Sequence, residues 1–216
     1  MLAPIAEWKS VRKFLPQPVE QEKLISIMQA GRRAPSWKNI QPWQFIALAE
    51  TPDKDKLAAG FSMGALIKKA PAVILCVGKL NSWEREHQRD RLRELLANTG
   101  VAMANEDIDK TFLNNRIAEA LANTTSSLIA RTFENMGIAY GFMILEAMNQ
   151  GLGACIVGEI DNELSGVDSV TYNEIKSYFE LGDTDIITAA IIVGYPAREP
   201  AVSPRKPEDD VFQIRG

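Results

Sequence analysis

The sequence predicts an α+β fold in which a mixed β-sheet is wrapped by helices. Short, almost wholly apolar runs of strand length alternate with longer stretches that have the apolar spacing of helices. A long helical block in the middle of the chain breaks the regular strand–helix–strand repeat of a parallel sheet. The chain is 46% hydrophobic and 24% charged, which is typical of a globular protein with a core. We expect one domain that comprises residues 1–216.

The predicted helices and strands follow from these patterns in order. The first helix, VEQEKLISIMQAGRR, must stop near Ala34, because Pro35 disfavours helical backbone in the residue that precedes it. The run APAVILCVG has the continuous apolar character of a central strand that is covered on both faces. Strands are predicted at residues 44–49, 70–78, 153–158 and 185–196, and helices at residues 19–33, 53–69, 125–150 and 170–181.

The helix predicted at 125–150 is apolar nearly all round from Met136 onward, so we expect it to be buried on all sides. Gly137 and Gly141 lie four residues apart and therefore share a face. Glycine inside a helix costs roughly 1 kcal/mol relative to alanine, so this pair indicates close packing. Because the helix is too apolar for the surface of a monomer, we expect it to form part of an interface between two copies.

Residues 80–122 form a polar block that predicts two exposed helices. Their charges are typical of a solvated face rather than of a binding surface. His87, the sole histidine, lies in this block between Glu86 and Gln88, and we expect it at the surface rather than in catalysis. The C-terminal segment 197–216 is rich in proline and charge, which predicts an extended arm over the surface or over a partner.

Composition and motifs exclude several classes of function. With 24 basic and 28 acidic side chains, the net charge of −4 argues against nucleic acid as a partner. No apolar stretch is long enough to cross a membrane. Cys76 and Cys155 lie in apolar runs, which predicts buried thiols and a reducing, cytoplasmic compartment. The chain has no HExxH or CxxC motif for a metal, and no GxGxxG or GxxxxGK[ST] motif for a nucleotide.

Anion-binding segments remain near both ends of the chain. KSVRKF places the Ser10 hydroxyl and Arg12 two residues apart, hence on one side of an extended segment, and SPRKP carries Arg205 and Lys206. Arginine with serine is a natural grip for phosphate, because the guanidinium forks onto oxygens and the hydroxyl adds a donor. Taken alone, Arg12 or Arg205 would be interpreted as an ordinary surface cation.

Taken together, these segments resemble the FMN-dependent nitroreductase family. The resemblance comprises KSVR near the N-terminus, APSWKNIQPW after the first helix, a later GIAYGFMILEAMNQGLGACIVG segment, and a strand that ends in VGYP before a basic arm. It covers residues 6–207, with 80–122 matching only as a variable helical insertion. The APSWKNIQPW motif is the most specific part.

The resemblance implies an intertwined homodimer with FMN at the subunit interface and NAD(P)H as reductant. It places Ser10 at the flavin phosphate and Arg12 near the ribityl chain and the pyrimidine edge of the ring. It assigns Val157 and Gly158 to the backbone that faces the reactive side of the flavin. No side chain is implied as catalytic, because the cofactor carries the chemistry. The implied cofactor-binding residues are Lys9, Ser10, Arg12, Pro35, Ser36, Asn39, Val157, Gly158, Arg205 and Lys206, of which Pro35, Ser36 and Asn39 cover the ring from the partner chain.

One position departs from the family pattern, which often reads Arg-Arg-Ser-x-Arg. Trp8 and Lys9 stand in the first two places, so a phosphate ligand is absent at Trp8 and Lys9 is the candidate to replace it.

The resemblance implies that NAD(P)H reduces FMN and that a nitroaromatic, quinone or related small-molecule acceptor is then reduced in the same pocket. Two alternatives stay open: other flavin chemistry on this fold (oxidase, flavin-fragmenting or dehalogenating), and a non-catalytic flavin-binding dimer.

Overall fold

Four strands form one sheet in the computed structural model, which describes residues 1–116, 119, 124–160, 166–201 and 203–215. Their order is β1–β2–β4–β3, and every neighbouring pair of these strands is antiparallel. A parallel element enters at the edge, where Ser10 makes an isolated bridge to Ala154. The strands are β1 (Trp43–Leu48), β2 (Ala72–Lys79), β3 (Gly153–Val157) and β4 (Asp185–Gly194).

Eight α-helices lie within the described residues, and together with the sheet they confirm the α+β prediction. The loop after the second helix contains a short 3-10 turn at Trp37–Asn39, and a π-helical turn at Asp109–Leu113 follows the sixth. The helices are α1 (Ala3–Ala6), α2 (Gln21–Arg32), α3 (Thr51–Ala58), α4 (Gly64–Lys69), α5 (Arg85–Asn98), α6 (Asn105–Ile108), α7 (Thr125–Asn149) and α8 (Ser169–Tyr178).

Each face of the sheet is covered by helices because alternate side chains of the central strands point in opposite directions. In β2, Val73 and Leu75 enter a cluster with Leu57 of α3 and Ile175 of α8. Residues from the opposite face of the same strand join α2 and α7 in a second cluster. This two-sided burial explains the continuous apolar run in the sequence, and it makes β2 and β4 the rigid centre of the fold.

Two predictions about helices need correction. The helix predicted at 53–69 is two helices, α3 and α4, separated by a turn around Gly60–Met63. The second helix predicted in the polar block reduces to α6 and the π-helical turn, and residues 117–118 and 120–122 of that block lie outside the described residues. The prediction of two buried free thiols is confirmed for Cys76 and Cys155, whereas the cytoplasmic location stays a prediction.

Helix α7 is not buried on all sides within one chain. Ile138 and Phe142 are 39% and 42% exposed, and a Cβ atom added at Gly137 or Gly141 would meet no atom within 4 Å. The glycine pair therefore serves no close contact inside the chain. An exposed apolar stripe with room for another backbone remains on this helix.

Candidate functional site

The N-terminal segment lies along the open edge of β3. Ser10 bridges Ala154, and the backbone N–H of Val11 donates to the Ala154 carbonyl at 3.0 Å. The close approach requires glycine at position 153, because a Cβ there would lie 2.5 Å from a methyl carbon of Val11. The sheet edge therefore fixes the backbone from which Ser10 and Arg12 project.

A groove of about 760 Å³ opens between this segment and the start of the C-terminal arm. Ser10, Arg12 and Lys13 line the side of the N-terminal segment, and Arg198 and Glu199 line the side of the arm. Arg12 is exposed, and its side chain makes no hydrogen bond or ion pair with any other described residue. A hydroxyl and three cations facing one groove are a suitable donor set for a phosphate group.

The arm is held beside the groove by backbone pairing. Leu15 donates its N–H to the Tyr195 carbonyl at 2.8 Å, and Ala197 donates to the Lys13 carbonyl at 3.0 Å. Beyond this pairing, Lys9 and Glu199 form an ion pair. The Lys9 ammonium, which the family resemblance makes a candidate phosphate ligand, is thus bound to the Glu199 carboxylate of the same chain.

The end of β3 presents open backbone. Val157 is the last residue of the strand and is buried, whereas Gly158 is exposed, and a Cβ at Gly158 would meet no atom within 4 Å. Glu159 then turns away and pairs with Ser62 through both side chain and backbone. A flat group can therefore approach the backbone at Gly158 without a side chain in its way.

The loop 34–42 adopts a backbone that non-glycine residues rarely use. Lys38, Asn39 and Gln41 all have positive φ angles, of 51°, 57° and 53°. The Gln41 side chain donates to Asn39 Oδ1 at 3.0 Å, and the Gln41 N–H donates to Ser36 Oγ at 3.0 Å. The hydroxyl and the amide assigned to the flavin are thus fixed by the loop itself.

Groups outside the loop fix its position. Asn135, 2% exposed on α7, accepts a hydrogen bond from the Trp37 N–H at 2.9 Å. Lys38 reaches the other way and donates to the Phe112 carbonyl at 2.5 Å, and burial lowers the pKa of its ammonium. Trp83 packs against Trp37 with ring centroids 5.7 Å apart. The polar block of the sequence therefore supports this loop from behind.

Within one chain the predicted site residues form two groups. Lys9, Ser10 and Arg12 lie on the segment that pairs with β3 at Ala154, whereas Pro35, Ser36 and Asn39 form the separate loop. No hydrogen bond or ion pair of the described residues joins the two groups. Arg205 and Lys206 are exposed on the arm, and Arg205 donates only to the nearby Ser203 and Pro204 carbonyls in the described part of the chain. Their roles stay predictions.

Sequence reasoning missed three residues at these positions. Lys13 and Arg198 line the groove, and Asn135 holds the loop. Arg198 follows the last strand by four residues, so its cationic character in VGYPAR was a usable signal. The sequence held no such signal for Asn135, because an asparagine in an apolar helix does not reveal the backbone group that it binds.

Neither a metal-binding cluster nor a membrane-spanning helix is found among the described residues. They contain no group of three or more His, Cys, Asp or Glu side chains arranged to hold a metal ion. In the same residues, no helix has the length and apolar character needed to cross a bilayer. His87, expected at the surface, is half-buried, with Nε2 3.4 Å from the Ile40 carbonyl oxygen.

Comparison with known proteins places the chain among flavin-linked reductases. The profile of the Nitroreductase family matches residues 5–195. An NADH dehydrogenase of Thermus thermophilus is 26% identical over 207 residues, which span 96% of this chain and 92% of the relative. An FMN reductase (NADPH) of Bacillus subtilis is 23% identical over 210 residues, which span 96% of this chain and 70% of the relative.

Solved structures show the same fold. A nitroreductase-like protein of Streptococcus mutans superposes with a TM-score of 0.78 at 17% identity, over 99% of this chain and 97% of that chain. A candidate nitroreductase of Exiguobacterium sibiricum, crystallised in complex with FMN, superposes with a TM-score of 0.76 at 18% identity, over 98% of this chain and 95% of that chain.

Proposed function

Because the chain belongs to the nitroreductase family, we propose that it is an NAD(P)H-dependent FMN oxidoreductase that reduces nitroaromatics, quinones or related acceptors by a ping-pong reaction. NAD(P)H and the acceptor would enter one pocket in turn. The observation that carries this proposal is the groove lined by Ser10, Arg12, Lys13 and Arg198, next to the edge strand β3 that Ser10 bridges at Ala154. We treat residues 1–216 as one FMN-binding domain.

The residues at this site fit FMN. The cations of the groove suit the phosphate, and the unobstructed backbone at the end of β3 suits a flat ring. Bound FMN supplies the hydride chemistry, so no protein nucleophile or acid is needed. Arg12 would favour the reduced cofactor, because a fixed cation stabilises the negative charge that develops at the pyrimidine edge.

A homodimer is part of this proposal because the proposed site residues of a single chain form two separate groups. The exposed stripe on α7, with Ile138, Phe142 and the open positions at Gly137 and Gly141, offers an apolar surface for a second copy. In such a dimer the loop with Pro35, Ser36 and Asn39 would cover the flavin that the partner chain holds. The rigid support of that loop would then exclude water and orient the ring.

The test is NAD(P)H oxidation by FMN-saturated protein, followed at 340 nm under anaerobic conditions with and without menadione or a nitrofuran. We expect slow oxidation without an acceptor and much faster oxidation with one, with parallel double-reciprocal plots. A flavin-binding dimer without catalytic activity would give no acceptor-dependent rate. An oxidase would consume NAD(P)H only when oxygen is admitted, so the same assay separates these two alternatives from the proposal.

A further inference from the structure

A second concave site, separate from the groove of Ser10 and Arg12, lies between α2, α5 and β1, and the end of the loop 34–42 borders it. It is a groove of about 480 Å³, which is within the size range of small-molecule sites. Trp43 and Phe45 of β1 and Ile40 of the loop supply apolar surface. Arg32 of α2 and Arg91 of α5 also line it. None of the residues that line it is proposed to bind FMN.

The charge of this groove is unusual for the protein. Its described lining contains two arginines and His87 but no carboxylate, although the whole chain carries a net charge of −4. Glu94, which pairs with Arg91 Nη2 at 2.7 Å, is not among the lining residues. Two cations that face an apolar floor create a site for an anion with a hydrophobic body.

Both guanidinium groups keep donors for such an anion. The Arg32 Nε donates to Gln29 at 2.7 Å, and its two terminal nitrogens have no hydrogen-bond partner among the described residues. Arg91 uses Nη2 for Glu94, and its Nη1 has no partner in the same part of the chain. Arginine presents these donors in a planar fork that matches a carboxylate.

The floor favours a flat ligand. The rings of Trp43 and Phe45 are stacked, with centroids 6.4 Å apart and planes at 21° to each other. Aromatic faces of this kind accept another ring in an offset stack. We propose that this groove is a binding site for a small aromatic carboxylate, with the ring on Trp43 and Phe45 and the carboxylate between Arg32 and Arg91.

The proposal is tested by isothermal titration of FMN-saturated protein with 1-naphthoate. Its ring-matched cation, 1-naphthylmethylammonium, serves as the charge control. We expect saturable binding of the carboxylate at one site per chain, without release of FMN, and no binding of the cation. Equal binding of both probes, or displacement of FMN by naphthoate, would overturn the assignment. Because the titration measures no turnover, its result does not depend on the proposed oxidoreductase activity.

Variants locate the site. Arg32→Ala and Arg91→Ala are each expected to weaken naphthoate binding about tenfold, the usual loss for a hydrogen bond to a charged group. Arg93→Ala is the matched control: it lies on the same helix, pairs with Asp90 and does not line the groove. Naphthoate binding that survives in the two groove variants, or falls equally in Arg93→Ala, would show that the anion binds elsewhere.

Discussion

The buried side chain of Asn135 accepts a hydrogen bond from the backbone N–H of Trp37 at 2.9 Å, across 98 residues of sequence. Its amide nitrogen donates to the Arg131 carbonyl one helical turn back, at 2.7 Å. One side chain of the central helix thus holds the loop that carries Ser36 and Asn39. The geometry of the proposed flavin cover therefore depends on a residue that need not touch the flavin.

We expect Asn135→Ala to lower the free energy of unfolding by about 1–3 kcal/mol, because the Trp37 N–H loses its partner. FMN affinity is expected to fall as well, since the loop is no longer fixed. Urea unfolding and fluorescence titration with FMN measure the two effects. Asn149→Ala, an exposed amide at the end of the same helix, is the control. If the two variants behave alike, Asn135 does not position the loop.

Arg12→Ala is expected to weaken FMN binding about 10- to 100-fold, the equivalent of one lost hydrogen bond to a charged group. It is also expected to lower the reduction potential of the bound flavin, because the cation that favours the reduced form is removed. Dye equilibration at saturating FMN measures this potential. Arg205→Ala is expected to reduce affinity only. A potential shift in Arg205→Ala but none in Arg12→Ala would reverse the two assignments.

Glu199→Gln is expected to tighten FMN binding about two- to fivefold. The substitution breaks the ion pair with Lys9, and the worth of an exposed ion pair, converted to an equilibrium constant, sets this scale. The released ammonium can then contact the phosphate. The measurement is the FMN dissociation constant, with riboflavin as a comparison that lacks the phosphate. An equal gain for riboflavin would show that Lys9 does not act on the phosphate.

Gly141→Leu is expected to prevent dimer formation while leaving the fold of the single chain intact. Space is open at this position within one chain, so a leucine is accommodated there and clashes only with a second copy. Light scattering after size exclusion reports the mass, and flavin absorbance reports the site. Ala97→Leu, on the exposed face of α5, controls for an added apolar side chain. A flavin-loaded Gly141→Leu dimer would contradict the interface.

Acid is expected to loosen the packing of α5 on the π-helical turn. The hydrogen bond from Arg89, aided by Arg85, lowers the pKa of Asp109 from 3.8 to about 2. A lowered pKa contributes stability that is present above pH 3.8 and is lost as the pH falls towards 2. The difference in urea midpoint between wild type and Asp109→Asn is therefore expected to be constant above about pH 5 and to shrink steadily as the pH falls through 2. A difference of the same size at pH 5 and at pH 2 would contradict this origin.

Local patterns predicted the sheet well because each strand's burial is visible in its own residues. The continuous run in β2 and the alternation of its contacts follow from side chains that point to opposite faces. The break between α3 and α4 was not predicted, because helical spacing on both sides of Gly60–Met63 masks the turn. For the candidate site, the residues themselves indicated that Ser10 and Arg12 bind an anion. Only the family resemblance assigned the loop with Pro35, Ser36 and Asn39 to the flavin.

The partnerships across the chain were beyond prediction from local sequence. That Lys38 binds the Phe112 carbonyl, or that Lys9 pairs with Glu199, depends on tertiary distances between segments far apart in the chain. The polar block at 80–122 shows most clearly how tertiary contacts differ from what local sequence predicts. Its charges predicted a solvated face, yet Trp83 within it is buried and packs behind the loop.

The left-handed backbone at Lys38, Asn39 and Gln41 has an evolutionary implication. Such a conformation costs an ordinary residue about 1–2 kcal/mol, least for asparagine, and glycine would adopt it without that cost. Glycine would nevertheless abolish the Lys38 contact with Phe112 and the bond between Gln41 and Asn39. The chain thus keeps side chains at positions where backbone strain alone would favour glycine. Glycine substitutions that relieve this strain are therefore expected to disturb the placement of the cofactor.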